Sequence, residues 1–79
     1  MKYADEDELK KAFGKRIKQL RKEYKLSQSE LSALTNIDKG SLQRIERGYN
    51  STLKTFRKLA NAFEINLSEL FDFTIENNK

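Results

Sequence analysis

Seventy-nine residues leave room for one domain. A domain of that size buries only about 60% of the surface its unfolded chain exposes, so closely packed regular elements must supply the core. There is no cysteine and no histidine, which removes disulfide frameworks, zinc fingers, Ser/His/Asp and Cys/His nucleophile systems and haem ligation, and with them most enzyme readings. The net charge of +4 is unevenly spread: −3 over residues 1–8, +10 over residues 9–58 and −3 over residues 59–79. In the middle stretch fourteen basic residues meet only Glu23, Glu30, Asp38 and Glu46. A basic middle between acidic ends suits a polyanionic partner, and solvated lysine-rich helix faces produce the same pattern.

In chain order, Leu9, Phe13, Ile17, Leu20 and Tyr24 recur at helical spacing and predict an amphipathic helix that starts near Asp5 with those residues inward. Asp5, Glu6, Asp7 and Glu8 open it and Lys15, Arg16, Lys18, Arg21 and Lys22 follow, the order the helix macrodipole favours, while Gly14 weakens it slightly. Ser27 followed by Glu30 is a capping box, so a short second helix begins at Gln28 and turns Leu31 and Leu34 inward. Asn36 stands where a turn residue of positive φ is tolerated. Asp38 then caps a third helix that reaches Arg47, with Leu42 and Ile45 inward and Gly48 closing it.

Tyr49 to Thr52 reads as a polar loop, and Ser51 or Thr52 caps a fourth helix with Leu53, Phe56, Leu59, Ala60 and Phe63 inward. Asn66 and Glu69 repeat the capping box and open a short fifth helix with Leu67, Leu70 and Phe71. No stretch alternates with period two for more than a few residues, and no repeat or linker interrupts the chain. The expectation is an all-α fold of five helices, one domain over residues 1–79 with its core in about 9–72. The charged first residues carry no apolar leader segment and no run of about eighteen apolar residues occurs, so a cytoplasmic chain with no membrane partner is expected.

The segment Gln28 to Arg47, QSELSALTNIDKGSLQRIER, meets the demands of a helix-turn-helix unit. Leu31 with the small Ser32 suits a steep helix crossing, Asn36 tolerates left-handed φ, Ile37 covers the core under the turn, and Leu42 and Ile45 seat the second helix on the first. That leaves Lys39, Gly40, Ser41, Gln43, Arg44 and Arg47 outward, a face with donors and no acidic residue.

On these residues the chain resembles the lambda-repressor-like, or Xre-type, helix-turn-helix family of transcriptional regulators. The resemblance covers about residues 12–71 and is carried by RIKQLRKEYKLSQSEL, GSLQRIERG, TLKTFRKLANAF and NLSELF, in the family's order and spacing. Ser32 replaces the common crossing alanine, Asn36 the usual turn glycine, and the proline frequent before the fourth helix is missing. The resemblance implies that Lys39, Ser41, Gln43 and Arg44 enter the major groove of double-stranded DNA. Gln pairs there with adenine and Arg or Lys with guanine O6 and N7. Arg44 is the leading base reader, and Lys39 reaches base or phosphate.

Ser27, Gln28, Gly40, Arg47, Asn50, Ser51, Thr52 and Lys54 are expected on phosphates, with ordinary capping and turn chemistry as the competing account of the loop residues. Gly40 either lets the backbone approach DNA or reads nothing. Arg21 and Glu46 match a structural ion pair joining the first helix to the end of the third.

Affinity from one helix in one groove calls for two modules about a two-fold axis, so a homodimer on a palindromic or pseudopalindromic operator is expected. Leu70, Phe71, Phe73 and Ile75 are the candidate dimer contact, or else Leu70 and Phe71 belong to the chain's own core and the tail from Phe73 frays. The chain is expected to act as a transcriptional regulator, with no cofactor, no metal and no enzymatic activity. The alternative is an antitoxin-like module that grips another protein and binds DNA only to regulate its own gene.

Overall fold

The computed structural model describes residues 5–49 and 51–73. Among them the structure is entirely helical: α1 (Glu6–Glu23), α2 (Gln28–Thr35), α3 (Lys39–Glu46), α4 (Leu53–Phe63) and α5 (Leu67–Leu70). Each begins on a side chain that accepts from a free backbone N–H of the first turn: Asp5, Ser27, Asp38, Thr52 and Asn66. Both expected capping boxes are formed, at Ser27/Glu30 and Asn66/Glu69.

The helix ends reuse one device. After α1, α3 and α4 the chain turns through a left-handed residue, Lys25 (φ 57°), Gly48 (φ 98°) and Glu64 (φ 56°). At each end two backbone bonds close the last turn, such as Lys25 N to the Lys22 carbonyl and Leu26 N to the Arg21 carbonyl. Glycine does this without cost at residue 48. At Lys25 and Glu64 a side chain sits in an unfavourable region, and what offsets it is that Leu26 and Ile65, next in the chain, pack onto the core. Asn36 adopts the expected left-handed turn at φ 60°.

The core is one cluster: Phe13, Ile17 and Leu20 from α1, Leu31 from α2, Ile37 from the turn, Leu42 and Ile45 from α3, Leu59, Ala60 and Phe63 from α4, and Leu70 from α5. Burying each large member stabilises the fold by about 1.5–3 kcal/mol relative to exposure. α3 is held between α1 and α2, while α4 joins α2 to α5. Phe71 stacks on Phe13 (centroids 5.1 Å apart) and meets Phe56 edge-on (4.9 Å), tying the end of α5 to α1 and α4.

Several residues expected inward are not. In α2 the inner face runs from Leu31 to Thr35, four apart, and Leu34 is 59% exposed. Thr35 takes that place because its hydroxyl donates to the Leu31 carbonyl (2.7 Å) and accepts from Ile37 N (3.2 Å), satisfying the tight turn from inside. Leu53, 78% exposed, precedes the inner stripe of α4, which starts one turn later at Phe56. Leu9, Tyr24 and Leu67 are likewise exposed. Tyr24 is amphipathic in use: its ring lies 5.2 Å from that of Phe63 while its hydroxyl donates to the Phe63 carbonyl at 2.9 Å.

Gly14 has a positive role. A Cβ at this position would lie 2.5 Å from the Ile45 carbonyl oxygen and 2.7 Å from that of Glu46, so only glycine lets α1 cross the end of α3 this closely.

Candidate nucleic-acid interface

α3 is presented on a fixed seat. Leu42 and Ile45 lock its inner side into the core, and Gly14 brings its last turn against α1. Beside that crossing, Arg21 Nε donates to Glu46 Oε2 at 2.7 Å and Nη2 to Glu46 Oε1 at 3.1 Å, a two-bond fork. The third arm, Nη1, donates to the Leu26 carbonyl at 3.0 Å, so one guanidinium ties α1, the α1–α2 loop and α3. The two side chains are only 13% and 6% exposed, and the hydrogen bond to Glu46 raises the Arg21 pKa further above its already high value.

The network continues outward. Gln28 Nε2 donates to Glu46 Oε1 at 3.2 Å, and Gln43 Nε2 donates to Gln28 Oε1 at 3.4 Å. Two partly buried steps thus lead from the ion pair to the outer face of α3. At the other end of that face, Asp38 accepts from Ser41 N (3.0 Å) and Ser41 Oγ (2.8 Å), and Arg44 Nη2 donates to Ser41 Oγ at 3.2 Å. Ser41's hydroxyl and amide hold the Asp38 carboxyl below its ordinary pKa, with a smaller contribution from Arg44. Lys39, Arg44 and Arg47 are exposed, and Gln43 is half-buried.

The loop into α4 completes a concavity beside this face. Ser41, Arg44, Tyr49, Ser51, Lys54 and Lys58 lie along an open cleft of about 460 Å³. Ser51 Oγ is shielded from solvent there without a hydrogen-bond partner, and Thr52 caps α4 through its hydroxyl. A polar wall with lysines and an unspent hydroxyl is suited to an anionic oxygen.

The Helix-turn-helix family profile matches residues 17–70. The chain belongs to the lambda-repressor-like helix-turn-helix family of transcriptional regulators. It is 41% identical over 58 residues to the immunity repressor protein of Bacillus phage phi105, covering 72% of this chain and 40% of that repressor. It therefore spans well under half the length of that relative. Its structure is similar to the restriction-modification controller protein C.AhdI from Aeromonas hydrophila, at TM-score 0.73 and 40% identity over 78% of this chain and 94% of that one. It is also similar to SinR, a master regulator for biofilm formation solved in complex with DNA, at TM-score 0.70 and 34% identity over 76% of this chain and 98% of that one. The DNA-binding domain of SinR comes from Bacillus subtilis, and SinR has also been solved with SinI protein.

In this helix-turn-helix domain the residues singled out from the sequence fall into three groups. Lys39, Gly40, Ser41, Gln43, Arg44 and Arg47 share α3 and its cap, with Gln28 joined to them through Gln43 and Ser27 capping α2. Ser51, Thr52 and Lys54 line a cleft together with Arg44. Asn50 and Ile75 lie outside the described residues.

The dimer group divides. Leu70 is fully buried in the chain's own core, which corrects its assignment to a dimer contact: α5 is one turn long, and its cap at Asn66 aims Leu70 inward. Phe71 is 36% exposed although it stacks within the fold, and Phe73 is partly buried against the core.

Sequence reasoning missed Lys18, which lines a cleft of about 310 Å³ with Gln28, Gln43, Glu46 and Arg47. Its only signal was membership of the lysine series along the outer face of α1, which does not separate it from Lys15 or Lys22.

Proposed function

We propose that the chain binds duplex DNA sequence-specifically as a homodimer, each copy laying α3 in a major groove at half-sites about 34 Å apart on a palindromic or pseudopalindromic operator. The observation that carries this reading is the outer face of α3. Gln43 and Arg44 are each tethered by one hydrogen bond, to Gln28 and Ser41, and keep further donors free on a helix whose inner side is locked. Arg44 is the base reader, matched to guanine, and Gln43 and Lys39 contribute beside it. Ser27, Gln28, Gly40 and Arg47 meet phosphates on one flank, and Asn50, Ser51, Thr52 and Lys54 on the other. Phe71, Phe73 and Ile75 supply the subunit contact. Regulation then follows from occupancy of promoter DNA.

The test is selection of binding sites from random duplex with the parent protein and with Arg44→Ala. The parent should enrich a two-fold symmetric site, and the variant should lose preference at one position per half-site. A variant that weakens every sequence alike places Arg44 on phosphate and ends the base-reading assignment. Sedimentation that stays monomeric at high concentration, free and on DNA, removes the dimer.

A second reading is favoured by the SinR–SinI complex: this domain also grips a protein partner and its DNA binding serves autoregulation. Co-purification of a second chain in fixed stoichiometry, surviving nuclease and high salt, distinguishes it from DNA-bridged association.

A further inference from the structure

Glycine at residue 40 is anomalous on a face that carries the DNA-reading donors, since it offers no side chain and weakens the first turn of its helix. It stands four residues before Arg44, so the two share one side of α3. A Cβ built at Gly40 would lie 3.3 Å from Asp38 Oδ2 and 3.9 Å from Arg44 Nη1. The guanidinium therefore folds back along the helix toward its N-terminus and rests beside the bare backbone of residue 40.

One hydrogen bond, itself oriented by Asp38, holds it there. Ser41 has one hydroxyl hydrogen, and it is spent on Asp38 Oδ1 at 2.8 Å, which turns a lone pair of Ser41 Oγ to the Arg44 Nη2 donor at 3.2 Å. Arg44 spends one N–H on Ser41 and keeps four, enough for a bidentate pair.

We propose that Gly40 is a specificity-determining position of this interface. Its missing side chain is the seat of the Arg44 guanidinium, which Asp38 and Ser41 hold in place, so one guanine is read from the N-terminal half of α3 by a residue a full turn further on. This inference rests on the base-reading role of Arg44 and deepens it. Asp38 and Ser41 are positioning residues acting through Arg44. A side chain at residue 40 meets Asp38 Oδ2 first, 3.3 Å from its Cβ, and one longer than a methyl group also reaches the guanidinium at 3.9 Å and displaces it.

The experiment compares competition between the selected duplex and the same duplex with the guanine pair replaced, for the parent, Gly40→Ala, Gly40→Leu, Ser41→Ala, Arg44→Ala and the Gly40→Leu/Arg44→Ala double variant. Melting temperatures are recorded in parallel. Arg44→Ala and Gly40→Leu each reduce discrimination by about tenfold, within the range of one bidentate pair. Ser41→Ala and Gly40→Ala lose less.

The glycine variants melt close to the parent temperature, because alanine and leucine favour the helix more than glycine does while their Cβ, 3.3 Å from Asp38 Oδ2, makes the capping carboxylate give way slightly. Loss of discrimination without loss of stability is what a merely structural glycine does not produce. In the Arg44→Ala background, Gly40→Leu has no further effect.

Unchanged discrimination in Gly40→Leu, while Arg44→Ala loses it, overturns this inference and leaves the base reader standing. An equal loss from Gly40→Leu with and without Arg44 also overturns it. Arg44→Ala with full discrimination overturns both. Should Gly40→Leu fail to fold, Ser41→Ala decides, and parental discrimination there counts against the seat.

Discussion

The inner and outer sides of α3 obey opposite rules. Inward, Leu42 and Ile45 are almost without solvent contact, Gly14 brings a neighbouring helix to within van der Waals distance of the last carbonyls, and Arg21 and Glu46 pair in a two-bond fork. Outward, Gln43 and Arg44 are each restrained by a single longer hydrogen bond to another side chain. The inner side places the helix and the outer side offers donors that can change partner when a base edge arrives. The difference shows how so small a chain can position a side chain accurately: rigidity is concentrated under the helix, and the reading residues need only light restraint.

That contrast can be broken from the inside first. Arg21→Ala leaves the shielded Glu46 carboxylate with only the Gln28 hydrogen bond and should cost about 3 kcal/mol, the lower end for a buried pair because Gln28 still donates to it. Against a total stability of about 5–15 kcal/mol this is a large drop in melting temperature, and an unchanged thermal melt refutes it. Gly14→Ala forces a methyl group against two backbone carbonyls that cannot rotate away, and should cost about 1–3 kcal/mol although alanine favours helices. A variant at least as stable as the parent shows that α1 and α3 separate freely.

The outer side is expected to respond in the reverse sense. Arg44→Ala should change stability by no more than about 0.5 kcal/mol while discrimination at one base pair falls by about 1–3 kcal/mol. Denaturant unfolding beside competition binding measures both, and a marked fall in stability makes Arg44 a structural residue.

The smallest effect concerns acid. The folded protein holds the Asp38 carboxyl below its ordinary value of 3.8, so it binds that proton less readily than the unfolded chain does. Its contribution to stability is therefore present above pH 3.8 and lost as pH falls through the lower folded value. The gap in melting temperature between the parent and Asp38→Asn should narrow between pH 6 and pH 3, and a constant gap contradicts the linkage.

Much of this was legible locally. The caps at Ser27, Asp38 and Asn66, the start near Asp5 and the cap narrowed to Ser51 or Thr52 are short-range chemistry, in which a side chain bonds to a backbone N–H three residues on, and the turn at Asn36 rests on that residue's own tolerance of left-handed φ. Left-handed Lys25 and Glu64 were not legible, because their conformations depend on Leu26 and Ile65 finding a core that other helices build. Nor was the exchange of Leu34 for Thr35 on the inner face of α2: hydrophobicity favours the leucine, and the geometry of a buried turn favours the hydroxyl.

Chain order and residue type alone were enough to determine five helices, their starts to within a residue, the helix-turn-helix and the face of α3 that carries the donors, because helical period and capping act within a few positions. Only the folded molecule decided that Gly14 is a crossing point, that Leu70 belongs inside, that Gln28 couples Glu46 to Gln43, and that the Arg44 guanidinium lies beside Gly40. Those facts depend on which atoms meet across elements, and packing at that resolution is set by the whole chain at once.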